Sequence, residues 1–157
     1  MATPPILVAY DGSELAQEAV RQAAALFPGR PAVVVTVWEP NLVSLAMMPT
    51  GYDTTFPTRF DPALATELDH AAEDRAALVA EEGAQLARSL GLAAEAHAIA
   101  DEAKIAATIA DIAEQRSVAA VVIGSQGISG VRSHLLGSTS RDILSRCARP
   151  VVVVRGS

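Results

Sequence analysis

The chain has 157 residues, half of them apolar, a formal net charge of −6 and a single cysteine, which allows one domain with a buried core. The charge excludes nucleic-acid binding driven by many phosphate contacts, and one cysteine excludes an internal disulfide or a cysteine-based zinc cluster. No stretch approaches the roughly 18 apolar residues of a membrane span and no signal-peptide pattern opens the chain, so we expect a cytoplasmic protein without membrane contact.

The chain begins with a strand, a helix and a second strand. Residues 6–10 and 32–38 are apolar on both faces, which is typical of buried strands in a parallel sheet. Between them, apolar residues recur at helical spacing over 15–26 until Pro28 and Gly29 stop the pattern. The next segment, residues 39–61, has no clear period, and we predict a long irregular loop of the kind that often carries function.

A long helix follows this loop. Asp61 is the predicted N-cap and Pro62 the predicted first-turn residue, and Gly91 is the predicted residue after the helix. Gly83 lies inside the helical pattern, where glycine weakens a helix. The helix therefore spans most of residues 62–90, and Gly83 is its one position of doubtful continuity.

The second half of the chain repeats the strand and helix alternation. Residues 92–99 predict a short strand, Asp101 caps the next helix, and 118–123 form a buried strand. A helix over about 138–147 and a last strand over 151–154 complete the chain. Five strands alternating with four helices predict an α/β fold with a mostly parallel sheet and helices on both faces.

Two polar clusters follow strands of this sheet, and parallel sheets bind ligands outside the carboxyl ends of their strands. The first cluster is Asp11-Gly12-Ser13 after the first strand, and the second is the segment 124–140 after the fourth. If those two strands are neighbours, the clusters face one crevice. Asp11 can also be read as the N-cap of a capping box with Glu14 at the third position, and we favour ligand contact over this alternative.

The segment GSQGISGVRSHLLGSTS, residues 124–140, contains four of the chain's ten glycines. A phosphate needs close approach of backbone N–H groups, which glycine permits, and the start of a helix adds free N–H groups. The pattern therefore predicts a phosphate cradle. The alternative is a set of turn residues that bind nothing, with Ser138 acting only as an N-cap.

The spacing Gly-x2-Gly-x9-Gly-Ser in this segment resembles the ATP-binding motif of the universal stress protein family. Four flanking stretches strengthen the resemblance: ILVAYDGSELAQEAV, VVVTVWEP, VVIGSQG and ARPVVVVR. The resemblance covers nearly the whole chain and implies one Rossmann-like domain over residues 1–157 with sheet order 3-2-1-4-5. It also implies a homodimer formed through the last strand, Val151–Val154.

The resemblance further implies a site for ATP, with or without Mg²⁺. It places adenine and ribose near Ala9 and Asp11 and packs Val37 on the adenine. The remaining implied contacts line the ribose and phosphate path or hold the phosphates: Ile123, Gly124, Gln126, Gly127, Gly137, Ser138, Thr139 and Ser140.

Gln126 departs from the family pattern, because members commonly have a basic or imidazole side chain at this position. An amide can donate a hydrogen bond but brings no charge attraction to a phosphate. Arg132 or His134, within the same segment, is a candidate for compensating this loss.

The sequence contains no recognisable catalytic constellation, and the glycine segment lacks the lysine of a Walker loop. We therefore expect an ATP-binding regulatory protein that signals as a dimer in stress adaptation, with at most slow hydrolysis. A dimeric adaptor of the same family that binds no nucleotide is the main alternative. An adenylating enzyme fits less well, because its signature loop is missing after the first strand. A phospho-acceptor receiver domain also fits less well, because Asp11 is the only acid in its cluster and the required third-strand Asp and fifth-strand Lys are missing. AMP or a cyclic nucleotide would fit the same adenine site.

Overall fold

The computed structural model describes residues 2–40, 61–101, 103–126 and 136–156. The predicted loop therefore lies almost wholly outside the described residues, as do Gly127, Arg132 and His134. The elements within the described ranges are, in chain order, β1 (Ile6–Ala9), α1 (Glu14–Leu26), β2 (Pro31–Trp38), α2 (Pro62–Ser89), β3 (Ala93–Ala100), α3 (Ile105–Gln115), β4 (Ala120–Gly124), α4 (Ser138–Arg146) and β5 (Val151–Val154).

The strands form one sheet of order β3-β2-β1-β4-β5, and all four pairings are parallel. The predicted fold class and strand order are confirmed. In the register, Val8 pairs with Val34 on one side and with Val122 on the other. Strand order reverses between β1 and β4, and the ends of these strands meet at the kind of crevice where open α/β sheets bind ligands.

The core has two halves, one on each face of the sheet, because successive strand residues point to opposite faces. Ile6 and Val8 of β1 pack with α1 and α2. Leu7, which lies between them, packs on the other face with α3 and α4, and both Leu7 and Ile143 are fully buried. The central strands β1, β2 and β4 are covered on both faces, which explains their predominantly apolar sequences.

Gly83 is buried in α2, and the helix is continuous through it. A Cβ at this position would lie 2.7 Å from Cγ of Tyr10 and 2.9 Å from Cγ1 of Val34. The Tyr10 hydroxyl donates a hydrogen bond to Oε1 of Glu82 at 2.9 Å. Glycine therefore lets the helix contact the ring directly.

The predicted boundaries of α2 are confirmed. Asp61 is the N-cap, and its Oδ1 accepts a hydrogen bond from the Ala63 N–H at 3.0 Å. Gly91 follows the helix with a φ of +92°, a conformation that glycine adopts without a steric penalty. Within the described residues, no helix is both long and apolar enough to cross a membrane.

The prediction that Asp101 is the N-cap of the following helix is wrong. The N-cap of α3 is Lys104, whose side chain makes no capping hydrogen bond. Asp101 lies three residues earlier, and its Oδ1 accepts from the Ala103 N–H at 3.0 Å and from the Thr108 hydroxyl at 2.8 Å. The carboxylate thus braces the first turn of α3 from outside the helix.

Candidate functional site

Asp11 lies at the carboxyl end of β1 in a turn that leads into α1. Its Oδ1 accepts a hydrogen bond from the Ser13 N–H at 2.9 Å. Ser13 is the N-cap of α1, and its Oγ accepts from the Ala16 N–H at 3.1 Å. The capping-box alternative, with Asp11 as N-cap, is therefore wrong, because the serine two residues later performs that role. The partly buried Asp11 remains at the edge where a ligand would bind.

The neighbouring residue, Tyr10, is neutral at physiological pH. Burial raises its pKa to about 12, and the hydrogen bond to Glu82 and the negative charges of Glu82 and Asp11 act in the same direction. The Thr36 hydroxyl donates to the Tyr10 carbonyl at 2.8 Å, which joins the end of β1 to β2. The end of β1 is thus held by a side chain of α2, Glu82, and by a side chain of the neighbouring strand β2, Thr36.

The start of α4 is fixed directly against the end of β4. The Gly137 N–H donates to the Ser125 carbonyl at 2.8 Å, and the Ser125 N–H donates to the Val154 carbonyl at 2.7 Å. A Cβ on Gly137 would lie 3.1 Å from the Ser125 carbonyl oxygen and 3.6 Å from Cα of Gln126. The absence of a side chain on Gly137 therefore lets two backbone segments of the predicted cradle touch.

Gly124 brings the end of β4 against the first turn of α1. A Cβ at this position would lie 3.0 Å from Cγ of Leu15 and 3.4 Å from the Leu15 carbonyl carbon and oxygen. The cluster after β1 and the segment after β4 therefore lie next to each other at one edge of the sheet, because β1 and β4 are adjacent strands.

The three hydroxyl residues at the start of α4 differ in their surroundings. Gly137, which has no side chain to cap the helix, is the N-cap of α4, and Ser138 is the first helical residue. The alternative prediction that Ser138 is the N-cap is therefore wrong. Ser138 is exposed and Thr139 is half-buried. Ser140 is 2% exposed, and its hydroxyl donates to the Gly124 carbonyl at 2.9 Å. This bond commits the Ser140 proton to holding α4 on β4.

The first turn of α4 also offers backbone donors. An α-helix leaves its first N–H groups without an intrahelical acceptor, and the first intrahelical bond of α4 runs from the Arg141 N–H to the Gly137 carbonyl. Such groups, with the positive end of the helix dipole, favour an anion. The start of α4 therefore has the chemistry expected of a phosphate-binding segment.

The apolar residues predicted for the nucleotide site, Ala9 and Val37 near the adenine and Ile123 on the ribose and phosphate path, lie on the face of the sheet that also carries α3 and α4. Ala9, Val37 and Ile123 all belong to or pack against that half of the core. Ala9 and Val37 are partly buried, whereas Ile123 is 7% exposed. Val37 pairs with Ile99 on β3. These side chains form an apolar surface at the carboxyl edge.

A pocket of about 190 Å³ opens on the same face, between the first turns of α3 and α4. Pockets that enclose a whole drug-sized ligand measure about 300–1,000 Å³, so this one would hold part of a nucleotide. The described residues that line it are Glu39, Asp101, Ala103, Lys104, Ile105, Ala106, Ser138, Thr139 and Asp142.

Only Ser138 and Thr139 of this lining were predicted site residues. Glu39, Lys104 and Asp142 were missed, because their proximity depends on how α3 and α4 are placed rather than on any local pattern. A usable signal was the position of Lys104 at the start of the helix that follows β3, since parallel strands end at the same edge.

Gln126 is partly buried at the end of β4. The predicted roles of Gly127, Arg132 and His134 fall outside the described residues.

Solved structures share this fold over the whole chain. The structure of the hypothetical protein MJ0577 covers 100% of this chain, with 99% of its own length matched, a TM-score of 0.76 and 19% identity. A universal stress protein from Archaeoglobus fulgidus, solved in complex with dAMP, covers 98% of this chain and 99% of its own, with a TM-score of 0.63 and 24% identity. Two further neighbours, at 19% and 14% identity and with TM-scores of 0.64 and 0.61, were solved with cAMP and AMP.

Sequence comparison supports the same grouping. The universal stress protein YxiE of Bacillus subtilis is 29% identical over an alignment 161 residues long. The alignment covers 96% of this chain and 97% of that protein. The model of the universal stress protein family matches residues 3–155. The chain belongs to the universal stress protein family.

Proposed function

We propose that this protein is an ATP-binding regulatory member of the family, which holds the nucleotide where β1 and β4 end. The observation that carries the proposal is the contact of Gly137 with the backbone of Ser125 and Gln126. This contact brings the two ends of the glycine segment together beside the first turn of α4, whose first N–H groups have no intrahelical acceptor. A segment of turns without a ligand would not require such an approach.

Different described residues are assigned to the adenine, the ribose and the phosphates of the nucleotide. Ala9 and Val37 offer an apolar surface for the adenine, and Asp11 offers a carboxylate oxygen for a ribose hydroxyl. The Ser138 and Thr139 hydroxyls and N–H groups would hold phosphate oxygens. Ser140 serves the same site by fixing the start of α4 to Gly124.

Relatives support an adenine nucleotide as the ligand class. The proteins solved with dAMP, cAMP and AMP share this fold at low identity. ATP is the more specific choice, because the spacing of the glycine segment resembles the family's ATP-binding motif and the first turn of α4 adds N–H groups without an intrahelical acceptor. Mg²⁺ prefers carboxylates together with substrate phosphates, and Glu39 and Asp142 line the pocket beside Ser138 and Thr139.

Regulation rather than turnover is the proposed role, exerted by a cytoplasmic homodimer in stress adaptation. The glycine segment has no Walker lysine, so hydrolysis is expected to be slow. β5 is an edge strand of the sheet, and Val151, Val152 and Val153 are partly exposed. Native proteins usually cover such an apolar edge, and pairing with a second β5 would do so.

The test is to denature the freshly purified protein, remove it, and identify any released small molecule by absorbance and mass. An adenine nucleotide near one per chain supports the proposal. An empty extract calls for titration with ATP. If ATP at millimolar concentration also fails to bind, the nucleotide proposal is wrong and the dimeric adaptor takes its place.

A further inference from the structure

The pocket between α3 and α4 contains both signs of charge. Three carboxylates, those of Glu39, Asp101 and Asp142, and one ammonium, that of Lys104, are among the described lining residues. Asp101 is already engaged by the Ala103 N–H and the Thr108 hydroxyl. Without a bound metal ion, the pocket is therefore unfavourable for an anion unless Lys104 contributes to binding it.

Unlike Arg116 and Arg149, Lys104 does not use its charge in an interaction with the described residues. Arg116 pairs with Glu95, and Arg149 makes two hydrogen bonds of 3.1 Å to Glu114. No hydrogen bond or ion pair within the described ranges uses the Lys104 ammonium, although the residue is the N-cap of α3 and is exposed. Its flexible side chain can therefore turn toward a bound group without breaking a contact.

We propose that Lys104 supplies the positive charge for the phosphates of the bound nucleotide and makes affinity rise with phosphate number. This inference rests on the proposed function. Ser138 and Thr139, the residues assigned to the phosphates, line the same pocket as Lys104. Gln126, at the end of β4, brings no charge. The proposed cation thus comes from the β3–α3 connection.

Removing the charge of Lys104 should weaken nucleotide binding by an amount that grows with the number of phosphates. Without Lys104 the described lining keeps three carboxylates and loses its cation. A charge-assisted hydrogen bond to phosphate contributes enough that its loss weakens binding by about 10-fold. The loss should be largest for ATP, smaller for AMP and absent for adenosine, which has no phosphate. High salt should reduce the difference, because exposed charges are screened.

The experiment compares wild type with Lys104→Met and Lys104→Arg by calorimetric titration with ATP, AMP and adenosine at low salt. Arg146→Met is the matched control, since it removes one cation from the opposite, exposed end of α4. Thermal denaturation confirms that each variant is folded. We expect Lys104→Met to lose about 10-fold in ATP affinity, while Lys104→Arg and Arg146→Met stay within about 2-fold of wild type.

Three results overturn the inference, and they are distinguishable. If wild type binds ATP and Lys104→Met binds it equally well, Lys104 has no such role but the proposed function stands. If wild type binds neither ATP nor AMP nor adenosine, the proposed function fails and the inference fails with it. An equal loss for ATP and adenosine would also refute it, because that loss would not depend on phosphate.

Discussion

Replacing Gly83 with alanine should destabilise the protein, although alanine is the better helix former. A new Cβ would lie 2.7 and 2.8 Å from two Tyr10 ring carbons and 2.9 Å from Cγ1 of Val34. Ordinary carbon contacts are about 3.5–4.0 Å, so α2 or the ring must move by about 1 Å. Such overpacking costs about 1–3 kcal/mol, while the gain in helix propensity is about 1 kcal/mol. The expected net loss is about 1 kcal/mol.

Urea denaturation followed by circular dichroism measures this loss as a lower midpoint with an unchanged slope. Ala77→Gly is the matched control, because Ala77 is exposed on the same helix. This variant reports propensity alone and should cost about 1 kcal/mol. If Gly83→Ala instead stabilised the protein by the amount that Ala77→Gly costs, the packing argument would be refuted.

Three further predictions concern the site and the sheet edge. Ser140→Ala removes the donor to the buried Gly124 carbonyl, and urea denaturation should show a loss of about 1–2 kcal/mol; an unchanged midpoint would contradict this. Because the folded pKa of Tyr10 is raised to about 12 from its usual 10.0, its contribution to stability is complete below pH 10 and is lost as pH rises toward 12. Tyr10→Phe should lack that part of the alkaline loss, and identical pH profiles would count against the assignment. Val152→Lys should give folded monomers in sedimentation, and an intact dimer would exclude pairing through β5.

The sequence was sufficient for the order of the elements, because each carries its own local signal. Buried strands such as 118–123 are apolar on both faces, and Asp61 and Gly91 mark the ends of α2 by their capping chemistry. The strand order was implied by the resemblance to a family. The strand and capping signals depend on neighbours within a few residues, and the structure confirmed both them and the strand order.

The sequence was less informative where two candidates for a role lie close together or where distant elements meet. Asp11 and Ser13 can both cap α1, and only the backbone geometry of the turn selects Ser13. Asp101 likewise carries a capping side chain, although the helix begins at Ile105. Lys104 and Asp142 are 38 positions apart in the chain, and their shared pocket results from the packing of α3 beside α4.

The most direct test of the central claim is a titration of wild type and of Gly137→Val with ATP, with Gly156→Val as the control. The added side chain on Gly137 would push Ser125 away from the start of α4, whereas a Cβ on Gly156 would contact only Cδ1 of Leu15, at 3.9 Å. We predict saturable ATP binding by wild type and Gly156→Val and a loss of at least about 10-fold for folded Gly137→Val, because displaced backbone donors no longer meet the phosphates. Equal ATP affinity in all three proteins would contradict a phosphate site at the junction of β4 and α4.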